Sequence, residues 1–288
     1  MLLLAACILC YTGQTFFNKL FSMRYSGPEA AATPVYASLY GLVVGLVSLC
    51  LNGLSFSPSG MTLILGCING VILFLYNLSM INAARSGPFA FQSIVMLFGS
   101  IVVCLVFSAL WWGDRMTVTQ LIGIAVMLAA FVLLNSGGLS FAGVKKGYFF
   151  WVTLLFFSNG IFGVLLDAQQ RAMPGERNEM IIATFLSSAA VSLAYLFTAK
   201  RKLVSKAFKM DGRSWLFALL SAGCASFAVY LLMTLLQYIP SYILYTVNNG
   251  SILVLSVLLC AVVLKEKMTK KAVAGIALSV VSIVLLSL

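Results

Sequence analysis

Histidine is absent from this chain, and charged residues make up only 9% of its 288 positions. Only seven Asp and Glu residues occur, against 18 Lys and Arg residues. A soluble domain carries about a quarter of its residues as charged groups. The shortage of charge excludes an ordinary water-soluble surface, and the 62% of hydrophobic residues indicates that lipid is the main solvent of this protein.

The same absences disfavour an enzyme. Catalysis needs a convergent set of nucleophile, base or metal ligands, and no carboxylate lies deep in any apolar segment. All seven cysteines also fall inside apolar segments, so Cys7 and Cys10 are interpreted as small buried hydrophobic residues rather than as a redox pair. We therefore expect no catalytic residue, no metal site and no cofactor.

Long stretches without charge define the predicted membrane crossings, because about 20 apolar residues span the hydrocarbon. Two stretches, 30–84 and 214–264, are long enough for two crossings each and contain turn residues midway. The first segment has no basic residues before its apolar stretch, so it is interpreted as a helix rather than a signal peptide. The sequence predicts ten crossings, at roughly 1–20, 33–51, 60–82, 87–112, 117–136, 147–167, 179–198, 214–236, 241–264 and 270–288.

The basic residues predict the orientation in the membrane, because cytoplasmic loops carry an excess of Lys and Arg. Loops after even-numbered helices hold only Arg115, Arg171 and Arg177, and the other 15 basic residues lie in loops after odd-numbered helices. The odd loops are thus predicted to be cytoplasmic, with both termini outside. This asymmetry also accounts for the net charge of +11 without a nucleic-acid partner.

An internal repeat relates the two ends of the chain. A shift of 152 residues aligns Pro88 with Pro240, and the Asp-Arg-Met-Thr of residues 114–117 with the Glu-Lys-Met-Thr of residues 266–269. The same Gly-Ile-Ala sequence then follows six residues later in both copies. Such an order of acid, base, methionine and threonine is hard to obtain by chance.

Residues 1–137 and 146–288 are therefore predicted to be two related halves of five helices each. Because five is odd, equivalent helices must cross the membrane in opposite directions, and inverted halves of this kind place a binding site at their interface. We expect an all-α membrane protein whose ten transmembrane helices form two inverted five-helix repeats. Since one chain holds both halves, a monomer is the default, with a homodimer as the alternative.

These features resemble the drug/metabolite transporter superfamily, in its ten-helix EamA-type branch. The resemblance covers the whole chain in helix number and is most specific at the turns of residues 113–117 and 265–269, each followed by a glycine-containing helix. It implies a multi-pass transporter of the cytoplasmic membrane. Family members are usually drawn with both termini in the cytoplasm, whereas the basic residues of this chain place both termini outside.

Polar side chains in the middle of a membrane are costly and tend to face a cavity or the bundle interior. Amides, phenols and one thioether at helical spacing are the candidate substrate-pathway residues, and the densest patch lies at residues 245–249. For each single residue the alternative is an interhelical hydrogen bond. The candidates are Tyr11, Gln14, Asn69, Tyr76, Asn77, Gln92, Met96, Asn159, Tyr230, Tyr245, Asn248 and Asn249.

A cavity of amides and aromatic rings suits an amphipathic organic solute. The hypothesis is an alternating-access carrier for a small neutral or zwitterionic metabolite such as an amino acid, in the export direction, with substrate and direction implied by the resemblance alone. The expected partners are this small-molecule substrate and the lipid bilayer. The alternatives are a flippase for a lipid or lipid-linked head group, and a channel or non-transporting scaffold.

Overall fold

A computed structural model describes residues 2–135, 144–263 and 269–287, and their regular structure is helical. The predicted crossings match the observed helices to within a few residues. Short helical turns at Ser108–Trp112, Pro174–Glu176, Arg201–Leu203 and Val204–Ala207 extend or connect these helices. In the described ranges ten helices are 18 residues or longer: α1 (Leu2–Arg24), α2 (Glu29–Leu51), α3 (Gly60–Ser86), α4 (Phe89–Phe107), α5 (Val118–Asn135), α6 (Tyr148–Ala172), α7 (Arg177–Ala199), α8 (Gly212–Leu235), α9 (Ser241–Val263) and α10 (Lys270–Ser287).

The outer surface of these helices is apolar, as expected for contact with lipid. Leu110 is 81% exposed and Trp111 is 79% exposed. Over the described residues, seven helices are long and apolar enough to cross a membrane, and Val118–Leu134 is a shorter apolar helix. The chain is an integral, multi-pass membrane protein.

The turn between α4 and α5 combines a left-handed glycine with a helix cap. Gly113 ends the preceding helix at a φ of +66°, which glycine adopts without a steric penalty. The Thr117 hydroxyl accepts from the N–H of Gln120 at 3.2 Å, and the Gln120 side chain accepts from the N–H of Thr117 at 3.1 Å. This reciprocal capping box starts α5. The Thr269 hydroxyl likewise accepts from the N–H of Ala272 at 3.1 Å, so the equivalent turn also carries a threonine cap.

One compact unit, here unit 1, comprises residues Met1–Leu78 and Leu165–Gln237. In it α1 packs along α8, and α2 packs along both α7 and α8. The connection after α1 is tied to the connection before α8, because the Ser214 hydroxyl donates to the Arg24 carbonyl oxygen at 3.1 Å. These contacts place one end of α1, α2 and α8 together.

Glycines on α2 and α3 allow both helices to approach the backbone of α7. A Cβ atom on Gly41 would lie 2.6 Å from the carbonyl oxygen of Phe185. A Cβ atom on Gly70 would lie 2.6 Å from the carbonyl oxygen of Thr184. Small residues spaced four apart permit this kind of close contact between membrane helices.

The second compact unit, unit 2, comprises Ser79–Val164 and Tyr238–Leu288. In it α5 packs along α10, and α4 packs against α9. The Ser282 hydroxyl donates to the carbonyl oxygen of Gly123 at 2.6 Å, which joins α10 to α5. The buried core of this unit consists of Leu97, Ile101, Ile124, Met127, Phe131, Tyr242 and Leu286.

Each unit contains helices from both of the predicted halves of the sequence. Unit 1 holds α1 and α2 from the first half with α7 and α8 from the second. Unit 2 holds α4 and α5 from the first half with α9 and α10 from the second. The two long helices α3 and α6 contribute residues to both units.

Candidate functional site

A network of hydrogen bonds joins α1, α2 and α8 inside unit 1. The side-chain amide of Gln14 donates to the Tyr40 hydroxyl at 3.2 Å, and the main-chain carbonyl of Gln14 accepts from the Ser221 hydroxyl at 2.9 Å. Ser221 also lies 2.7 Å from the hydroxyl of Tyr36. We call Gln14, Tyr36, Tyr40 and Ser221 the aromatic–amide network.

A row of aromatic rings extends this network from α1 to α7. The rings of Tyr36 and Tyr40, one helical turn apart on α2, stack with centroids 5.6 Å apart. Phe21 of α1 lies 5.2 Å from the Tyr36 ring, and Phe185 of α7 meets the Tyr40 ring edge-on at 5.6 Å. Offset and edge-to-face contacts of this kind are the favoured geometries of aromatic rings.

Two of the predicted pathway residues lie beside the same network. The phenols of Tyr11 on α1 and Tyr76 on α3 are both within electrostatic range of the Tyr40 phenol. The phenols of Tyr36 and Tyr40, the Ser221 hydroxyl and the Gln14 amide therefore meet inside unit 1. Such a group can stack on an aromatic or aliphatic solute and exchange hydrogen bonds with it, and ring faces also attract ammonium groups.

The remaining candidates of unit 1 have different surroundings. Asn69 on α3 is fully buried, and neither of its side-chain amide atoms has a hydrogen-bond partner among the described residues. Asn77 donates to the carbonyl oxygen of Leu73, one turn earlier on its own helix, at 2.9 Å. A buried amide without a partner is costly, which marks Asn69 as the candidate to which a bound solute or water would contribute most.

Tyr230 on α8, another predicted pathway residue, contacts Arg177 through its ring and its hydroxyl. The guanidinium carbon of Arg177 lies 4.7 Å from the centroid of the Tyr230 ring. Arg177 also donates to the Thr234 hydroxyl at 2.9 Å and to the Tyr230 hydroxyl at 3.4 Å. The first residue of α7 is thereby fixed against the last two turns of α8.

The acidic residues beside Arg177 bind elsewhere. The Glu176 carboxylate accepts from the main-chain N–H of Ser59 at 2.9 Å and from its hydroxyl at 2.8 Å. The Glu179 carboxylate accepts from the side chain of Asn52 at 2.9 Å. Both acids therefore fasten the start of α7 to the connection between α2 and α3.

Asp167 and Arg171 near the end of α6 form the i,i+4 ion pair that their spacing predicts. The Arg171 Nε atom donates to the Asp167 carboxylate at 3.1 Å, and the Asp167 side chain is 1% exposed. A buried carboxylate needs a charged or hydrogen-bonding partner. This acid therefore has a structural role at the helix end.

In unit 2, most of the predicted residues bond to a neighbouring helix. Gln92 donates to the carbonyl oxygen of Met80, and Asn159 donates to that of Met96, each at 2.7 Å. These bonds join α4 to the end of α3 and to α6. The predicted alternative, an interhelical hydrogen bond, is therefore present for both amides.

The patch on α9 also binds neighbouring helices. The Tyr245 hydroxyl donates to the Gly163 carbonyl oxygen of α6 at 3.2 Å, and the Asn249 amide donates to the Ser100 hydroxyl of α4 at 2.8 Å. Asn248 is buried, at 3% exposure. The structure thus brings the tyrosine and two asparagines of α9 into the packed interior of unit 2.

Sequence reasoning missed Tyr36, Tyr40, Phe185 and Arg177. The two tyrosines are four residues apart on one helix, which is a detectable signal, but α2 contains no amide to draw attention to them. In the sequence, Arg177 stands out only as one of the three basic residues of the even-numbered loops. Its partners on α8 lie more than 50 residues away in the sequence, and no local pattern indicates them.

Comparison with known proteins finds a matching family and similar solved structures. Residues 146–288 match the sequence model of the EamA-like transporter family. A solved structure, described only as a crystal structure of a protein, matches 99% of this chain and 98% of its own, with 21% identity and a TM-score of 0.75. At that identity the likeness shows a shared fold. No curated protein matches the sequence.

Proposed function

Because residues 146–288 place this chain in the EamA-like transporter family, we propose that it is an alternating-access carrier of the cytoplasmic membrane. Its solute is a small neutral or zwitterionic metabolite, such as an amino acid, moved in the export direction. The observation that carries the proposal is the aromatic–amide network of unit 1, in which α1, α2 and α8 meet through phenol, amide and hydroxyl groups.

The chemistry of the network supports a solute without a strong net charge. Its members are uncharged and can both donate and accept hydrogen bonds. Tyr11 and Tyr76 are further phenols within electrostatic range of Tyr40. A fully ionic solute would lose its hydration there without gaining a counter-ion, whereas an amphipathic solute can stack on the rings and bond to the hydroxyls.

The packing of each unit supports the inverted repeat, which we propose as the basis of alternating access. The shift of 152 residues relates α2 to α7, α4 to α9 and α5 to α10. Members of each of these pairs pack against one another, the first pair in unit 1 and the other two in unit 2. A pseudo-twofold axis that relates the two halves passes between equivalent helices. Equivalent helices close to that axis therefore pack against each other. The repeat is the feature that lets one fold open towards either side in turn.

The α9 residues Tyr245, Asn248 and Asn249 remain proposed pathway residues. Replacing Tyr245 by Phe and Asn248 by Ala, one at a time, tests this. A pathway role predicts altered solute affinity in correctly folded protein. Unchanged flux in both variants would show that these residues contribute to helix packing and not to the solute pathway.

The proposal is tested by a thermal-stability screen of the purified protein in detergent. Amino acids, amines, organic acids, nucleosides and sugar phosphates are compared, and a ligand at 100 times its dissociation constant adds about 2.7 kcal/mol of apparent stability. Stabilisation by one zwitterionic or neutral class, lost in Gln14→Leu but kept in Asn77→Leu, is the expected result. Stabilisation by lipid head-group analogues alone would instead favour a flippase.

A further inference from the structure

We propose that Arg177, with Tyr230 and Thr234, forms an outer oxyanion subsite of unit 1 that takes the carboxylate of the transported solute. That the bound carboxylate belongs to a transported solute rests on the proposed function. That Arg177 forms an oxyanion subsite rests on the contacts of its guanidinium. Its geometry separates it from the aromatic–amide network, so the two can be tested apart.

The Arg177 guanidinium has donor groups to spare. A guanidinium carries five N–H donors in a planar fork that matches a carboxylate or phosphate. Thr234 receives one of these donors at 2.9 Å, and the Tyr230 hydroxyl receives another at the longer distance of 3.4 Å. Because the Tyr230 ring covers one face of the guanidinium, the edge of the fork is the part that can bind an incoming oxyanion.

The charge of Arg177 is not neutralised by a carboxylate within the described ranges. The two adjacent acids, Glu176 and Glu179, bond to Ser59 and Asn52 on the connection between α2 and α3. Arg171, near the end of α6, differs because it is paired with Asp167 at 3.1 Å. A half-buried guanidinium without a counter-ion is a favourable place for an external anion.

The local backbone adds to this preference. Helix α7 begins at Arg177, so the positive end of its dipole and its first main-chain N–H groups lie beside the guanidinium. The two acids reduce the local potential, but their hydrogen bonds hold them against the α2–α3 connection. The positive charge is therefore presented at the α8 side of this helix start.

The distance along α7 makes this an outer subsite. Arg177 precedes Phe185, which touches the aromatic–amide network, by eight residues, or about 12 Å at 1.5 Å per helical residue. A molecule the size of a simple amino acid cannot contact both places at once. Arg177 therefore selects the solute before it reaches the network and does not bind it there.

The experiment measures binding of benzoate and of its neutral analogue benzamide by calorimetry, with the full chain in maltoside micelles. We expect benzoate to bind to the natural protein, and Arg177→Gln to lower its affinity about tenfold or more, the size of a lost charged hydrogen bond. Benzamide binding should not change. Arg115→Gln, which removes an exposed arginine of another even-numbered loop, is the matched control and should bind benzoate normally.

A second arm separates the two sources of an oxyanion. Phosphatidylglycerol is titrated into the same micelles, since a lipid phosphate presents chemistry similar to that of a carboxylate. Binding of phosphatidylglycerol but not benzoate, lost in Arg177→Gln, would assign the subsite to a lipid head group. Binding of neither probe, or equal benzoate affinity in Arg177→Gln and the natural protein, would overturn the proposal.

A further variant keeps the test decisive if Arg177→Gln does not fold. Arg177→Lys retains the positive charge but not the planar fork, so benzoate should bind several-fold more weakly than to the natural protein, and equal affinity would contradict the subsite. Carrier activity is measured separately. Benzoate binding at Arg177 without solute exchange would overturn the proposed function alone, and exchange that Arg177→Gln leaves unchanged would overturn the subsite alone.

Discussion

The side chain of Gln14 on α1 donates to the hydroxyl of Tyr40 on α2 at 3.2 Å, while the main-chain carbonyl of the same residue accepts from Ser221 on α8 at 2.9 Å. One residue thus joins three helices of unit 1 through both its side chain and its backbone. The backbone bond therefore joins α1 to α8 independently of the side-chain bond between Gln14 and Tyr40.

Tyr40→Phe is the variant that removes this bond with the least change of shape. A lost hydrogen bond to the solute costs about 0.5–1.5 kcal/mol, so we expect KM for the solute to rise roughly 2- to 13-fold. Loss of the Gln14–Tyr40 bond itself should lower the stability by about 0.6–2 kcal/mol. Uptake kinetics in proteoliposomes measure this. The control is Tyr195→Phe, because Tyr195 lies in the same unit and contacts Phe74 through its ring. Equal KM values in both variants would remove the Tyr40 hydroxyl from solute binding.

The close contact between α3 and α7 predicts a second result. In Gly70→Ala the new Cβ atom would lie 2.6 Å from the Thr184 carbonyl oxygen, and overpacking of this kind costs about 1–3 kcal/mol. Gly223→Ala on α8 is the matched control because no atom lies within 4 Å of the added Cβ, and it should be neutral or slightly stabilising. Thermal unfolding in detergent compares the two. Equal stability of both variants would contradict the α3–α7 packing.

Asp211 predicts how stability depends on pH outside the membrane. It is the N-cap of α8, and hydrogen bonds from the Ser214 hydroxyl and from the Ser214 N–H, the latter at 3.0 Å, lower the pKa of its carboxyl. A lowered folded-state pKa means that the stabilisation is present above the unfolded pKa of about 3.9. It is lost as the pH falls through the folded value.

The measurement is thermal unfolding between about pH 3 and pH 7. Asp211→Asn keeps a capping side chain but cannot titrate, so its unfolding temperature should fall less in acid than that of the natural protein. Ser214→Ala removes the largest cause of the lowered pKa and should bring the loss of stability to higher pH. Identical acid profiles in all three proteins would contradict the role of this cap.

The basic residues predict that the odd-numbered loops are cytoplasmic. Single cysteines at Lys202 in the α7–α8 connection and at Gly175 in the α6–α7 connection, in a chain whose native cysteines are replaced by serine or alanine, test this in intact cells. A membrane-impermeant maleimide should label position 175 and leave position 202 unlabelled until the cells are opened. The reverse pattern would place both termini in the cytoplasm.

Much of the fold could be predicted because its causes are local. Stretches without charge set the helix positions, and Thr117 directly before an apolar stretch is typical of the cap seen at the start of α5. The Asp167–Arg171 pair follows from one helical turn of spacing. Each of these features depends on residues within a few positions of one another, which the sequence displays directly.

The candidate site was only partly predictable because its contacts are distant in sequence. Tyr11, Gln14 and Tyr76 are recognisable from the sequence as polar groups inside apolar helices. The hydrogen-bond partner of Tyr36, however, is Ser221, which is 185 positions away in the sequence. Asn77 is the opposite case, because its polar side chain suggested a pathway role but donates to the Leu73 carbonyl oxygen of its own helix. Polarity shows which side chains need partners, but only the packing of helices decides which partners they receive.

Counterflow in proteoliposomes tests the central claim most directly. Purified protein is reconstituted in vesicles loaded with an unlabelled amino acid, and entry of the labelled compound is followed against vesicles with Tyr40→Phe and Tyr195→Phe. A carrier predicts transient accumulation that saturates with concentration, is weaker at low solute concentration for Tyr40→Phe, and is unchanged for Tyr195→Phe. Flux that rises linearly without accumulation, or no exchange of any soluble metabolite, would contradict the account of this protein as a small-molecule carrier.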